Sequence, residues 1–295
     1  MSSDQARPTL VTTVAELRAL VAAFRREGKR IGLVPTMGAL HEGHLSLVRA
    51  SQAECDVTVV TIFVNPTQFG PDEDFQRYPR ALSGDLDLLL RCGNPLVFAP
   101  PNDEVYPPGC ESWVEVGSAA GPLEGRCRPG HFRGVATVVL KLFNMVLADV
   151  AYFGQKDYQQ ALVIRRMVAD LNVPIEIRVC PIVREADGLA MSSRNAYLSP
   201  AARRQALVLS KSLALAAELV AGGQRDAALI AEKMQEVILS AEDARIDYVA
   251  LVDPETLEPV RRIDGPTAAL VAVHLGTTRL IDNCLLEPGD SSPQA

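Results

Sequence analysis

Residues 31–64 read IGLVPTMGALHEGHLSLVRASQAECDVTVVTIFV. An apolar run at 31–35, too short for a helix, gives way to the Met37-Gly38 turn. Helical spacing follows over about 43–53, and then a β-branched run at 57–64 that favours strand. Strand, glycine turn, helix and strand make a βαβ unit, whose parallel strands belong in a sheet covered by helices on both faces. Outward from this unit the alternation persists. It predicts helix over 14–27, with Val14, Leu17, Leu20, Val21 and Phe24 on one face, then helix 82–91, strand 96–98, helix 135–147, strand 151–153, helix 159–171 and strand 175–179. The expected fold is α/β, with a doubly wound parallel sheet over residues 1–183.

A shift in composition marks a second unit, expected over 184–295 as a smaller α+β domain. Thirteen of the fifteen aromatic residues occur by Tyr158, and only Tyr197 and Tyr248 follow, so the later core must be aliphatic. Ala- and Leu-rich stretches at 200–221 and 226–240, separated by Gly222-Gly223, read as helices. Runs at 246–252, 268–273 and 279–283 read as strands, and residues 286–295 as a loose tail. No internal repeat is visible.

The chain has 295 residues, enough for two ordinary domains. Its 29 Lys and Arg against 36 Asp and Glu leave a formal charge of −7, which argues against nucleic acid as a partner. Apolar stretches fall far short of the ~20 residues of a bilayer span, so no membrane partner is expected. The N-terminus carries no apolar segment preceded by positive charge, and the expected compartment is the cytoplasm. Cys55, Cys92, Cys110, Cys127, Cys180 and Cys284 form no C-x-x-C pair, and they are read as reduced thiols.

Residues 34–45, VPTMGALHEGHL, stand where the first strand of this unit ends and its helix begins, the place where ligands sit in doubly wound sheets. Unpaired N–H groups and the positive dipole end make the first turn of a helix a phosphate site. His41 and His44, three apart, share a helical face there, where each imidazole can donate to phosphate oxygens. The plainer alternative is a pair of loop-capping histidines. The sequence contains no G-x-x-x-x-G-K-[ST], no G-x-G-x-x-G and no G-x-S-x-G, which removes Walker-type, ordinary dinucleotide and serine-hydrolase readings.

The same segment is followed by FVNPTQF at 63–69, RPGHFRGV at 128–135, FGQKDYQQ at 153–160 and MSSRN at 191–195. With these five motifs in order, the chain closely resembles the pantothenate synthetase family over about residues 10–285. The resemblance implies a Rossmann-like first domain, a C-terminal domain that closes over the active site, and a homodimer. It also implies ATP-dependent condensation of pantoate with β-alanine through a pantoyl adenylate, with release of pyrophosphate and then AMP. ATP enters as co-substrate and Mg2+ as cofactor.

Carried over position by position, the resemblance implies that His41, His44 and Lys156 hold phosphates. Ser192, Ser193 and Arg194 form a second donor cluster over the triphosphate. Gln68 and Gln160 would clamp pantoate, since a carboxamide both accepts and donates without adding charge. Asn65 belongs either there or on the pyrophosphate side. Arg128 matches a family arginine on a flap near the pantoate and phosphate site. Gly154 and Asp157 match adenosine-binding positions, and Pro35, Thr36, Met37 and Met191 stand as walls or backbone contacts around the nucleotide, with a plain core role the alternative for the two methionines. Asp85 is the expected metal carboxylate, although the helix dipole alone favours an acid in that first turn. His131 and His274 read as structural. One departure is Gln155, where the family pattern suggests glutamate.

Two rivals are another nucleotidyl-transferring enzyme of the same superfamily, opposed by Gln68, Gln160 and MSSRN, and a non-catalytic or RNA-binding relative. His41, His44, Lys156 and Arg194 oppose loss of catalysis, and the −7 charge opposes RNA. No Ser, Cys or Lys sits beside an obvious base, as an acyl-enzyme would require.

Overall fold

A computed structural model describes residues 8–71 and 73–288. The chain falls into two compact units, one formed by residues up to 155 together with 159–181, the other by 156–158 with 182 onward. The boundary lies at 181/182, not at 183/184 as expected. Residues 156–158, expected in the first domain, cluster with the second unit. Two bonds account for this: Asn283 Nδ2 donates to the Lys156 carbonyl at 3.0 Å, and Tyr158 Oη donates to the Pro254 carbonyl at 2.9 Å.

The first unit runs β1 (Leu10–Val11), α1 (Val14–Arg26), β2 (Ile31–Thr36), α2 (Glu42–Glu54), β3 (Val57–Ile62), α3 (Leu82–Arg91), β4 (Leu96–Phe98), α4 (Asn102–Val105), α5 (Glu124–Cys127), α6 (His131–Val146), β5 (Val150–Gly154), α7 (Tyr158–Asp170) and β6 (Glu176–Cys180). Helix α1 starts where it does because Thr13 Oγ1 accepts from Glu16 N at 3.2 Å while Glu16 Oε2 accepts from Thr13 N at 3.2 Å. Such a reciprocal cap satisfies two otherwise orphaned donors.

The six strands are all parallel, in the order β1-β4-β3-β2-β5-β6. Alternation along each strand feeds two cores. Ile31, Leu33, Val59, Phe98, Ala151 and Phe153 pack with α1, α6 and α7 on one face. Val34, Val60, Val97, Val150 and Tyr152 pack with α2 and α3 on the other. The chain therefore leaves β2 toward one face and β5 toward the opposite face, so the gap between these neighbours is the topological switch point. Pairing between them is limited to Gly32 and Leu33 with Val150 and Ala151. Their carboxyl-terminal halves, residues 34–36 and 152–154, are left unpaired with each other, and Pro35, which has no N–H for a ladder, falls in that half.

The second unit holds α8 (Pro200–Gln205), α9 (Leu207–Ala221), α10 (Ala227–Leu239) and the antiparallel sheet β7 (Ala244–Val252), β8 (Thr267–Leu275), β9 (Thr278–Leu286). Its core is aliphatic, with Leu209, Leu213, Ile230, Met234, Ile238 and Val271 buried together. Asp226 caps α10 by accepting from Ala228 N and Leu229 N. His274 is satisfied by Asp247 Oδ2 at 3.1 Å.

Four local expectations need correction. Residues 200–221 form two helices interrupted at Ala206, not one. Helix α6 begins four residues earlier than its apolar run, at His131, because Gly130 takes φ 81° and starts the helix there. Strand β1, only two residues long, was not foreseen. Leu286, assigned to the tail, ends β9 and is buried. Residues 289–295 of that tail lie outside the described residues.

Candidate active site

In the first unit the segments expected to bind ligand converge on the carboxyl ends of the central strands. Thr36 ends β2, and its Oγ1 donates to the Thr61 carbonyl at 2.6 Å while accepting from Gly38 N at 3.2 Å. The chain then turns through two left-handed residues, Gly38 at φ 79° and Ala39 at φ 51°. Glycine is required at 38 twice over. Its φ is unfavourable for other residues, and a Cβ there would lie 2.9 Å from Asp85 Oδ2. Ala39 tolerates this conformation because Asp85 grips the turn, accepting from Ala39 N at 3.1 Å and Leu40 N at 2.7 Å. Burial raises the Asp85 pKa above the usual carboxylate value, and the two amide bonds only partly offset that.

Asp85, the expected metal carboxylate, has a structural role here. Both of its oxygens are engaged by backbone amides, and it anchors the turn that leads into α2. Among the described residues no group of three or more His, Cys, Asp or Glu is placed to hold a metal ion.

His41 is the N-cap of α2, and His44 lies three residues on. Gly43 N donates to His41 Nδ1 at 3.1 Å, and His41 N donates to His44 Nδ1 at 3.3 Å. The two rings meet at a tilt of 41°, with centroids 4.1 Å apart. Since each Nδ1 accepts, the neutral ring of each carries its proton on Nε2. Capping and donation are thus compatible: one nitrogen of each ring completes the helix start, and the other is a hydrogen-bond donor at the positive end of α2.

Beyond β3, Asn65 begins the 3-10 turn Pro66–Gln68. Asn65 is 1% exposed, and its Nδ2 donates to Gln68 Oε1 at 3.0 Å and to the Gly134 carbonyl at 3.2 Å. Its Oδ1 accepts from Thr67 Oγ1 and from Tyr106 Oη, both at 2.9 Å. Both polar atoms of the Asn65 side chain are thus engaged inside the protein. These bonds organise the turn. Gln68 Nε2, in contrast, donates to Met37 Sδ at 3.3 Å. A thioether is a weak acceptor, and a ligand oxygen would displace it at little cost.

Arg128 is held by side chains of its own unit. Its guanidinium makes a two-pronged contact with Glu73, Nε to Oε1 at 2.7 Å and Nη2 to Oε2 at 2.6 Å, and its Nη1 meets His131 Nε2 at 3.1 Å. Burial pushes the Glu73 carboxyl up, but Arg128 outweighs it and holds the group below its usual range. Glu73 was missed in sequence because its partner lies 55 residues away. Gln159, beside the expected Gln160, was missed too. Its side chain donates to the Ala119 and Pro122 carbonyls and accepts from Glu124 N, fixing the segment that carries Arg128.

A cavity of about 560 Å³ opens at these strand ends, with Met37, Gly38, Phe63, Pro66, Arg80 and Asp85 among its lining residues. At Gly154, which ends β5, an added Cβ would meet no atom within 4 Å. Protein packing does not demand glycine there, which leaves room for close approach by a ligand.

In the second unit, Lys156 and the half-buried segment 191–195 are held on a common framework. Asn283 bonds the Lys156 carbonyl as described, and Asp282, the residue before it, takes both prongs of Arg184 at 2.7 and 3.0 Å. That pairing raises the Arg184 pKa. Arg184 bridges to Ala190, and Asn195 Nδ2 donates to Glu185 Oε1 and the Ala190 carbonyl. Ser192 caps the 3-10 turn Ser193–Tyr197 by accepting from Arg194 N at 3.3 Å. Asp157 is exposed, and Met191 is half-buried.

Residues 9–285 match the family model described as pantoate-beta-alanine ligase. The chain belongs to the pantoate–β-alanine ligase family. A pantothenate synthetase of Moorella thermoacetica is 56% identical over 281 residues, which covers 95% of this chain and 99% of the relative. One from Thermotoga neapolitana is 54% identical over 277 residues, covering 94% and 99%. Among solved structures, the pantothenate synthetase of Thermus thermophilus superposes with a TM-score of 0.89 at 48% identity, covering 94% of this chain and 98% of that one. The pantoate-beta-alanine ligase of Francisella tularensis, described as complexed with beta-gamma ATP and beta-alanine, gives 0.78 at 32% identity, covering 94% and 97%. As a member of the pantoate–β-alanine ligase family, the chain is an ATP-dependent ligase that condenses pantoate with β-alanine.

Proposed function

We propose that the condensation runs through a pantoyl adenylate and that the residues divide between phosphate and acid. A pantoate carboxylate oxygen attacks the α-phosphorus of ATP and the bond to pyrophosphate breaks. The β-alanine nitrogen then attacks the acyl carbon, loses a proton, and AMP leaves with the electrons of the broken acyl–oxygen bond. Neither step needs a protein nucleophile; both need positioning and neutralisation of phosphate charge.

The observation that carries this reading is the capping arrangement of His41 and His44, which fixes an Nε2 donor on each ring at the positive end of α2. Lys156, Ser192, Ser193 and Arg194 are assigned further phosphate donors. Gln68 and Gln160 are assigned to pantoate. Pro35, Thr36, Met37, Gly154, Asp157 and Met191 are assigned to the nucleotide, with Thr36 contributing through its backbone because its hydroxyl is already engaged at both ends.

Mg2+ would supply positive charge to offset that of the phosphates. Asp85 would be the carboxylate to hold it, through the lone pairs that its bonds to Ala39 N and Leu40 N leave on each oxygen, and no step is routed through the ion. A homodimer in the cytoplasm completes the proposal; all six cysteines are free thiols, as a reducing compartment would keep them.

The test is exchange of labelled pyrophosphate into ATP with pantoate present and β-alanine absent. Pantoate-dependent exchange is expected, with AMP appearing only when the amine is added. Product formation without such exchange, or a label held covalently by the protein, would overturn the adenylate route.

A further inference from the structure

Thr67 and Gln68 are gripped from one side by the first turn of α6. Gly134 packs so closely that a Cβ there would lie 2.3 Å from the Thr67 carbonyl oxygen and 2.7 Å from Gln68 N. Both are rigid backbone atoms, so no side chain is accommodated without moving the turn. His131, three residues earlier and therefore on the same helical face, has its Nδ1 2.8 Å from the Gln68 carbonyl oxygen. That oxygen only accepts, so Nδ1 carries the proton. Nε2 then accepts from Arg128 Nη1 at 3.1 Å, and Arg128 is held by Glu73. The imidazole is 8% exposed, and both of its nitrogens are used. It has no nitrogen left for a substrate.

We infer that His131 and Gly134 are positioning residues for pantoate: together they fix the height and rotation of the Pro66–Gln68 turn and so aim the Gln68 carboxamide at the acid. The inference rests on the assignment of Gln68 to pantoate. A donor on residue 131 sets where the Gln68 carbonyl lies, the absence of a side chain at 134 sets how near the turn approaches, and Glu73–Arg128 holds the imidazole in the tautomer that donates. A residue required only for folding would affect both substrates alike. These two should affect pantoate alone.

The experiment compares saturation curves for pantoate and ATP in Gln68→Ala, His131→Phe, His131→Asn and Gly134→Ala, and in the double variant Gln68→Ala/His131→Phe. Phenylalanine keeps a ring of similar size without the donor, while asparagine keeps a donor near the Nδ1 position. Misplacement of a binding group by about 1 Å costs up to about a hundredfold, so His131→Phe and Gly134→Ala should raise the pantoate KM at least about tenfold and leave the ATP KM within about twofold. His131→Asn should recover most of the loss, and His131→Phe should add nothing in the Gln68→Ala background. If Gly134→Ala does not fold, the phenylalanine and asparagine variants at 131 decide between the outcomes. A normal pantoate KM in His131→Phe, alongside a raised one in Gln68→Ala, overturns this inference and leaves the Gln68 assignment standing. A normal pantoate KM in Gln68→Ala itself overturns the assignment and the inference with it.

Discussion

The carboxamide of Asn283 donates to the carbonyl oxygen of Lys156 at 3.0 Å, tying strand β9 to a residue 127 positions earlier. The neighbouring Asp282 holds Arg184, whose strand-like bridge to Ala190 leads into the Ser192–Arg194 segment. Two adjacent residues of one strand thus brace both Lys156 and the 192–194 segment, the proposed phosphate donors of the second unit.

Loosening this brace should lower the rate of adenylation without changing the demand for pantoate. Asn283 is 2% exposed, and Asp at this position would turn a carboxylate toward a carbonyl oxygen with no hydrogen between them. Asn283→Ala and Asn283→Asp are each expected to slow pyrophosphate exchange by about tenfold or more, as displaced catalytic groups do. The aspartate variant should be the worse of the two. Full exchange in Asn283→Asp would show that this bond does not position Lys156.

Asp85 allows a sharper distinction, because a metal ligand and a turn anchor respond differently to magnesium. In Asp85→Asn the amide nitrogen must face either Ala39 N or Leu40 N, donor against donor, and the left-handed Ala39 loses half of its support. Activity should fall about tenfold or more through displacement of the α2 start. The magnesium concentration giving half-maximal rate should rise as well, since Asp85 is the proposed carboxylate for the ion. An unchanged magnesium requirement would leave Asp85 as a turn anchor alone.

What could be read from the sequence, and what could not, follows from the range of the interactions. The βαβ pattern of 31–64 fixes strands and helix through local periodicity, and β2, α2 and β3 appear within two residues of their expected ends. His41 and His44 were legible because a strand end, a glycine and a helix start coincide within twelve residues. Asp85 and Arg128 were recognised as charged residues near the site, but their partners lie 45 and 55 residues away. Nothing local separates an anchor from a ligand. Asn65 shows the same limit: only the fold brings Gly134 and Tyr106 to its amide. The interruption at Ala206 has no glycine or proline to announce it.

His44 serves two purposes that substitution can separate. Its Nδ1 caps the helix by accepting from His41 N, and its Nε2 is the proposed phosphate donor. His44→Ala removes both, and should cost about 1 kcal/mol of stability as cap losses do together with about a hundredfold or more in adenylation. Glutamate at this position of a capping box also reaches back to the N-cap amide. His44→Glu should therefore keep the melting temperature while losing at least as much activity, since a carboxylate repels phosphate. Recovery of activity in His44→Glu would mean that capping alone explains the residue.

His131 should also leave a mark on the pH dependence of stability. Burial, reinforced by the facing Arg128, lowers its pKa from the ordinary 6.5 to about 4, against the opposing pull of the Gln68 carbonyl, Glu124 and Glu73. As pH falls, the unfolded chain takes up this proton first, so the stabilisation is complete above about pH 6.5 and drains away between about 6.5 and 4. By about pH 5 the loss should be on the order of 2 kcal/mol. His274 is held below its ordinary value as well, mainly by burial, and adds a slope of the same sign. Glu73, with its pKa lowered, loses its contribution only as pH falls below the ordinary glutamate value of 4.5, outside the upper part of this window. Subtracting the His131→Asn curve from that of the unaltered protein therefore isolates His131. Urea unfolding at about pH 7, 6 and 5 should show the unaltered protein losing on the order of 2 kcal/mol more than His131→Asn across that interval. Parallel curves would mean that His131 titrates near its ordinary value and that Arg128 does not hold its Nε2 unprotonated.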